Sequence, residues 1–300
     1  IMVNGDALAG HPSACQSGLI VQQPGSDNLF YIFTTDGIEG NFTKGYNYSI
    51  VDMNMQGGNG EVIVKNQLLW QSCTERVTAV RHSNGVDVWL ITNDNNSNIF
   101  RSWLITCSGL QPTAVVSTAG IILNYSVLTN TGYMKVSPDG KQLCQTHFPL
   151  EEVIGGVSNF IQLFDFDNTT GQISNGKSVT TPNSLYIGCE YSPDSRFLYI
   201  TRPGTRKIDQ IEAKLTTVAA IEASVVSIPT VGNPFGIQLG PDEKIYVFKQ
   251  SLTVGVINSP NVKAPNVSFN ETQISTAPHT AYLSSPSFIN DVAYDASNTF

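Results

Sequence analysis

The chain contains little charge. Only 13% of its 300 residues are Asp, Glu, Lys or Arg, and the formal net charge at pH 7 is −8. A surface with so few cations has no electrostatic basis for holding a phosphate backbone, so we predict no nucleic-acid partner. The same sign of charge argues against docking on anionic lipid headgroups. No apolar run reaches the roughly 18 residues that a membrane-spanning helix needs, so direct membrane insertion is not predicted either.

Cysteines and catalytic signatures are also scarce. The five cysteines are Cys15, Cys73, Cys107, Cys144 and Cys189, and no two of them form the close pair typical of structural zinc sites. The odd count leaves at least one thiol without a partner in this chain, and buried reduced cysteine is the favoured interpretation of most of them. The sequence has no Gly-x-Ser-x-Gly elbow and no EF-hand loop. We therefore predict no catalytic residues, no metal and no other cofactor.

A hairpin motif, in contrast, recurs five times. Each copy has a short apolar strand, a turn built on Pro or Asn with Gly or Asp, and a second strand rich in aromatic and β-branched residues, most clearly at 191–201 (YSPDSRFLYIT). Ser, Pro and Asp in succession are typical of a type I turn that reverses the chain. The second turn position falls at residues 24, 84, 138, 193 and 241, so the gaps are 60, 54, 55 and 48 residues. Such spacing is typical of propeller blades.

Each hairpin is followed by a second strand pair, which includes 100–105 (FRSWLI) and 160–166 (FIQLFDF). Four strands per repeat make one blade. We predict an all-β fold, with residues 1–300 forming a single β-propeller domain of four-stranded blades. Five blades are visible. The best helix candidate, residues 209–223, lacks a sustained helical period and is interpreted as mostly strand.

Several segments together carry a resemblance to a known family. They are 5–24 (GDALAGHPSACQSGLIVQQP), 48–62 (YSIVDMNMQGGNGEV), 74–92 (TERVTAVRHSNGVDVWLIT), 132–143 (GYMKVSPDGKQL), 160–175 (FIQLFDFDNTTGQISN), 237–247 (IQLGPDEKIYV) and the closing 286–289 (PSFI). They resemble secreted Bacteroidota surface or gliding-associated proteins with YVTN/WD40-like propeller regions, often exported by the type IX secretion system. The resemblance implies an extracellular or outer-surface location. It also implies a complete ring of six or seven blades, whose first blade, or part of it, precedes Ile1. It supplies no catalytic residue to carry over.

One aligned position carries the candidate site. Three residues before each turn anchor stand Val21, Arg81, Lys135, Glu190 and Gln238. An innermost blade strand is crowded, so charged groups there must be paired or face water in a channel. Arg81, Lys135, Glu190 and Gln238 either line a polar tunnel mouth that binds a small ligand or ion, or form a network between blades. We favour the network, in which Lys135 and Glu190 neutralise each other.

The four histidines, His11, His82, His147 and His279, fall on different blades and loops. A general base needs a partner within hydrogen-bonding reach, and the sequence indicates none for them. They are interpreted as structural or surface residues.

These observations favour a non-enzymatic extracellular or cell-surface module for binding, adhesion or scaffolding, with a protein or glycan partner. Oligomers or larger assemblies are compatible with this function. One alternative is a propeller hydrolase or lactonase, in which carboxylates at the tunnel mouth hold a divalent cation that activates water. The aligned register supplies only Glu190 for that purpose. The other alternative is a structural subunit of a surface assembly.

Overall fold

The computed structural model describes residues 2–122, 127–147, 160–180, 185–281 and 287–289. These residues form five β-sheets, and the first four strands of each sheet follow one another along the chain as antiparallel neighbours. Each sheet is one blade. The predicted all-β propeller with five visible blades is confirmed, whereas a complete ring of six or seven blades stays a prediction.

The strands have the following bounds. The first blade contains β1 (Gly18–Gln22), β2 (Leu29–Thr35), β3 (Tyr46–Asp52) and β4 (Glu61–Trp70). The second contains β5 (Val77–Arg81), β6 (Val88–Asn93), β7 (Ile99–Thr106), and both β8 (Gly109–Leu110) and β9 (Val115–Thr118) beside β7. The third contains β10 (Met134–Val136), β11 (Gln142–Gln145), β12 (Phe160–Asp167) and β13 (Gln172–Thr180). The fourth contains β14 (Cys189–Tyr191), β15 (Phe197–Arg202), β16 (Lys207–Glu212) and β17 (Val226–Pro229). The fifth contains β18 (Pro234–Leu239), β19 (Ile245–Lys249), β20 (Thr253–Ile257) and β21 (Phe269–Ser275).

The turn between the first two strands of each blade falls at the predicted anchors. In the third blade, the Gly140 amide donates to the Ser137 carbonyl at 2.8 Å, and the Ser137 hydroxyl donates to Asp139 Oδ1 at 2.7 Å. In the fourth blade, the Ser192 hydroxyl donates to Asp194 Oδ1 at 2.6 Å. The serine therefore fixes the aspartate two residues on, which explains why Ser-Pro-Asp marks both turns.

Apolar side chains pack between successive blades. Four buried clusters join the first blade to the second, the second to the third, the third to the fourth, and the fourth to the fifth. At the second of these interfaces, Phe100 meets Phe164 edge to face, with ring centroids 4.9 Å apart. The blades therefore stand side by side in the order in which the chain makes them.

Threonines at the inner ends of the second strands add polar links between blades. Thr35, Thr92, Thr146 and Thr201 are each fully buried. The Thr146 hydroxyl donates to the Ile187 carbonyl of the next blade, and the Thr201 hydroxyl donates to the Phe235 carbonyl at 2.6 Å. Each of these bonds satisfies a carbonyl that would otherwise be buried without a donor.

The closing segment returns to the first blade. Ser287 and Phe288 form β22 (Ser287–Phe288), which pairs in parallel with β1. Pro286, the first residue of the predicted closing strand, lies outside the described residues.

The assignment of residues 209–223 as mostly strand is wrong in part, because a short helix, α1 (Val218–Ala223), follows β16. The Thr217 hydroxyl accepts the Ala220 amide at 3.2 Å as an N-cap, and Ile221 is fully buried beneath the helix. An alanine-rich stretch with a cap and one buried apolar side chain folds as one and a half turns of helix. No helix among the described residues is long and apolar enough to cross a membrane.

Candidate functional site

Three of the four predicted register residues meet where the innermost strands of blades three, four and five adjoin. Lys135 Nζ lies 3.1 Å from Glu190 Oε2 and donates to Gln238 Oε1 at 2.6 Å. The exposed fractions of Lys135, Glu190 and Gln238 are 3%, 0% and 5%. A buried ammonium in contact with a carboxylate is neutralised by it, so the pair satisfies the requirement for burying charge.

Backbone donors complete the environment of the Glu190 carboxylate. Oε1 accepts the Tyr191 amide at 3.0 Å, and Oε2 accepts the Leu239 amide at 2.9 Å. Both carboxylate oxygens therefore bond to protein groups. Two of these groups, the Lys135 ammonium and the Leu239 amide, belong to the neighbouring blades. This geometry is a network between blades.

The same contacts decide whether a divalent cation fits this position. Glu190 is the only carboxylate of the four register residues, and the Lys135 ammonium lies where a metal would have to approach it. Nor do the described residues contain any group of three or more His, Cys, Asp or Glu side chains that could hold a metal ion. The register does not fit the metal centre of the lactonase alternative, and no step is derived through one.

Arg81 lies elsewhere, at the end of β5, and is partly exposed. Its Nη1 donates to the Gly85 carbonyl at 3.1 Å. It borders an open cavity of about 400 Å³ between the first and second blades. The cavity's other walls include Ile20, Gln22, Gln23, Ser26, Asp27 and Val86.

Hydrogen bonds hold the first-blade wall of this cavity in place. The Gln22 side chain donates to the Ser26 carbonyl at 2.8 Å, and the Gln23 side chain donates to the Cys107 carbonyl of the second blade at 3.0 Å. Asp27 is exposed on this wall, and Arg81 lines the same cavity from the second blade. The cavity therefore combines a cation, a carboxylate and two amides at a place open to solvent.

A second polar cluster, which the sequence did not predict, lies at the start of β5. Arg76 is 0% exposed. Its Nε donates to the Thr146 carbonyl at 3.0 Å, and its Nη2 donates to the Thr131 carbonyl at 2.6 Å. Nη2 also lies 3.1 Å from His147 Nδ1, and Nη1 has no hydrogen-bond partner among the described residues. Because a guanidinium only donates, His147 Nδ1 accepts this hydrogen bond.

Burial dominates the electrostatics of this cluster. It lowers the pKa of Arg76 to about 10. Burial, followed by the Arg76 charge, lowers the pKa of His147 well below its usual value, so this imidazole is neutral at pH 7. Burial also raises the pKa of Glu75, whose carboxylate accepts the Cys15 amide at 2.9 Å and the Ile38 amide at 3.1 Å. Apart from Arg76 Nη1, these groups bond to protein partners, and the bonds of Arg76 tie blades two and three together.

A weak signal for this cluster exists in the repeats. Eight residues before the turn anchors stand Gln16, Arg76, Asn130 and Asn233, which are polar in four of the five blades. In the structure, Gln16 Oε1 accepts the Met134 amide at 2.8 Å, and its Nε2 donates to the Met134 carbonyl at 3.1 Å. Gln16 thus links the segment before the first blade to the innermost strand of the third.

No family model matches the chain, and no curated protein matches it. Solved structures do match. A periplasmic gluconolactonase from Pseudomonas aeruginosa aligns with a TM-score of 0.54 at 12% identity, over 85% of this chain and 70% of that one. A candidate 6-phosphogluconolactonase from Bacteroides fragilis aligns with a TM-score of 0.53 at 15% identity, over 86% of this chain and 72% of that one. A protein of unknown function from Desulfotomaculum acetoxidans aligns with a TM-score of 0.50 at 14% identity, over 80% of this chain and 65% of that one. This chain therefore spans about two thirds of the length of the Desulfotomaculum protein.

At these identities, the matches show the fold alone. They nevertheless overturn the prediction that this chain is not an enzyme, which rested on the family resemblance, the low charge and the lack of a catalytic constellation in the sequence. Several propellers of this shape carry the names of lactonases. Of the resemblance to secreted Bacteroidota surface proteins, the matches support the propeller fold. The membership of that family stays a prediction.

Proposed function

We propose that the chain is a propeller hydrolase that opens a small polyhydroxylated lactone in the cavity between the first and second blades. The observation that carries the proposal is the cavity itself, about 400 Å³ in volume with Asp27 and Arg81 on its walls. That volume falls within the range of about 300–1,000 Å³ of small-molecule sites. The names of the lactonases that share the fold support the same reaction class.

Each wall residue has a chemical role in this reaction. The Asp27 carboxylate takes a proton from a water molecule that adds to the lactone carbonyl carbon. The Arg81 guanidinium stabilises the negative charge that develops on the carbonyl oxygen. When the ring C–O bond breaks, the proton passes from Asp27 to the leaving oxygen, and a hydroxy acid results. The amide oxygens of Gln22 and Gln23 accept hydrogen bonds from substrate hydroxyls.

The test is a pH-stat assay of the whole chain on glucono-δ-lactone and 6-phosphogluconolactone, with a buffer blank for spontaneous opening. We expect Asp27→Asn to lower kcat by about 100-fold or more, as for loss of a general base. Arg81→Met should lower kcat/KM. Glu243→Gln, which changes an exposed carboxylate on the fifth-blade turn, is the matched control and should leave both constants unchanged.

Two results would contradict the proposal. One is hydrolysis no faster than the blank on every lactone tried. The other is full activity in Asp27→Asn together with loss of activity on addition of EDTA, which would move the reaction to a metal site.

We further propose that the chain works outside the cytoplasm and meets protein or glycan partners there. The low charge of its surface supports this location, as does the periplasmic enzyme that shares its fold. Fractionation of the native cells with an antibody to the chain tests the location, and recovery in the cytoplasm alone would contradict it.

A further inference from the structure

Two fully buried cysteines lie on neighbouring blades. Cys144 belongs to β11 in the third blade and Cys189 to β14 in the fourth, and each is 0% exposed. Both belong to the apolar cluster that joins these two blades. Neither thiol is in a disulfide in the structure, and the nearby Cys189 thiol is one of the causes, after burial, that raise the pKa of Cys144.

The axial ion pair holds these two strands in register on one side of the cysteines. Lys135 is the cross-strand partner of Cys144 in the third blade, and Glu190 directly follows Cys189 in the fourth. Lys135 Nζ and Glu190 Oε2 are 3.1 Å apart. The backbones that carry the two cysteines are therefore drawn together at the axis.

A hydrogen bond holds the strands on the other side. The Thr146 hydroxyl donates to the Ile187 carbonyl, which connects the same two blades two residues away from each cysteine. Because side chains alternate along an extended chain, residues 144 and 146 share a face, as do residues 187 and 189. Cys144 and Cys189 thus point into the same interface between two fixed contacts.

We propose that Cys144 and Cys189 form a disulfide between the third and fourth blades when the chain folds in the presence of a low-molecular-weight disulfide such as oxidised glutathione. In the exchange, the two cysteine S–H bonds break and one S–S bond forms. The oxidised glutathione accepts two electrons and two protons and leaves as two glutathione thiols. The bond joins positions 45 residues apart and restricts the unfolded chain.

Burial determines when this oxidation takes place. It raises the pKa of the Cys144 thiol well above the usual value, so the folded protein holds almost none of the reactive thiolate. The exchange therefore occurs while the blades assemble, before the interface closes.

The remaining cysteines supply internal controls. Cys107 is exposed in the second blade, and we replace it with serine throughout to avoid links between molecules. The Cys73 thiol donates to the Phe42 carbonyl at 3.7 Å, within the interface of the first two blades. Cys73 is therefore a buried cysteine that should stay reduced.

The experiment refolds the Cys107→Ser chain in a mixture of oxidised and reduced glutathione, alkylates it in denaturant, and maps peptides by mass spectrometry without reduction. We expect one linked pair that contains Cys144 and Cys189, with Cys15 and Cys73 alkylated. The thermal midpoint should exceed that of the reduced protein by roughly 5 °C. This difference should vanish in Cys144→Ala and in Cys189→Ala and persist in Cys73→Ala.

Alkylation of both Cys144 and Cys189 after oxidative refolding would overturn the proposal. So would linkage of either residue to Cys15 or Cys73 in comparable yield. If the alanine variants do not fold, the peptide map of the Cys107→Ser chain alone decides between these outcomes.

Discussion

A neutral histidine packed against a buried arginine is the most unusual arrangement at the scale of single residues. His147 accepts a hydrogen bond from Arg76, and both side chains are buried between the second and third blades. The titratable groups near the guanidinium are Tyr46, Cys15, Glu75 and Cys189, and Gln162 lies beside the second ring nitrogen of His147. A proton added to His147 would place two positive charges 3.1 Å apart without water between them.

This arrangement predicts that the chain loses stability in mild acid. The pKa of His147 is lowered in the folded state, so the unfolded state binds the proton first. The free energy of unfolding should therefore fall as the pH drops below about 6.5, by at most about 1.4 kcal/mol per pH unit, until the folded-state pKa is reached. Urea unfolding at several pH values measures the slope. His147→Gln should flatten it, whereas the exposed His279→Gln should not; equal slopes in all three proteins would contradict the assignment.

The axial ion pair gives a second prediction at this scale. Lys135→Met leaves the Glu190 carboxylate buried without its cation, which should lower the free energy of unfolding by about 3–5 kcal/mol. Adding Glu190→Gln to Lys135→Met removes the unpaired charge and should restore a large part of that loss. Urea titration of the parent, Lys135→Met and the double variant measures these free energies of unfolding. A Lys135→Met variant as stable as the parent would show that water reaches the ion pair.

The sequence predicted the axial contact but not the Arg76 cluster, for a physical reason. Lys135 and Glu190 occupy the same repeat position, and the symmetry of a propeller brings equal positions together at the axis. Arg76 and His147 are 71 residues apart at unequal repeat positions, so no spacing rule connects them. Arg81 shared the predicted register yet lies at the cavity, because the neighbouring register position in the first blade is the apolar Val21.

At the scale of elements, the inner hairpins depend on a left-handed residue that closes each turn. Gly85 and Gly140 have φ angles of +73° and +67°, which glycine adopts without strain. In the fifth blade, Glu243 occupies this conformation at φ +61° and is exposed to solvent. The fifth-blade turn is therefore strained where the second and third are not.

We expect Glu243→Gly to raise the free energy of unfolding by about 0.5 kcal/mol, because it removes the left-handed penalty of a residue with a Cβ. Gly140→Ala is the converse change and should cost 1 kcal/mol or more, by order of magnitude. Its new Cβ would stand 2.2 Å from Asn168 Nδ2. Thermal and urea unfolding of both variants measure the effects, and a destabilised Glu243→Gly would show that the glutamate side chain has a role in the turn.

The elements themselves were largely predictable, since turn chemistry and alternating apolar strands are local signals. The helix α1 was missed because its stretch of six residues is too short for a helical period. Its formation depends on a cap and on one apolar side chain that reaches the core, and the second of these is a tertiary contact.

At the scale of the whole molecule, the two halves of the propeller differ. Between the first and second blades a cavity is open to solvent, whereas the innermost strands of blades three to five are joined by a dry network of charges and amides. The blade order and the position of the turns followed from the repeats. The repeats did not predict whether the centre of the propeller is open or filled, because that depends on which side chains form contacts across the axis.

The charge network shared by three blades has a consequence for how amide hydrogens exchange with solvent. Moving blade three or four away from the axis would leave an unpaired ammonium or carboxylate in the interior, and moving blade five would remove the Gln238 side chain and the Leu239 amide that bond to the ion pair. A partial opening of one blade therefore disturbs all three. The amides of β10, β14 and β18 should therefore exchange together, at a single slow rate. Those of β1, which carries the apolar Val21 at the same register position and so has no charged partner in this network, should exchange earlier and independently.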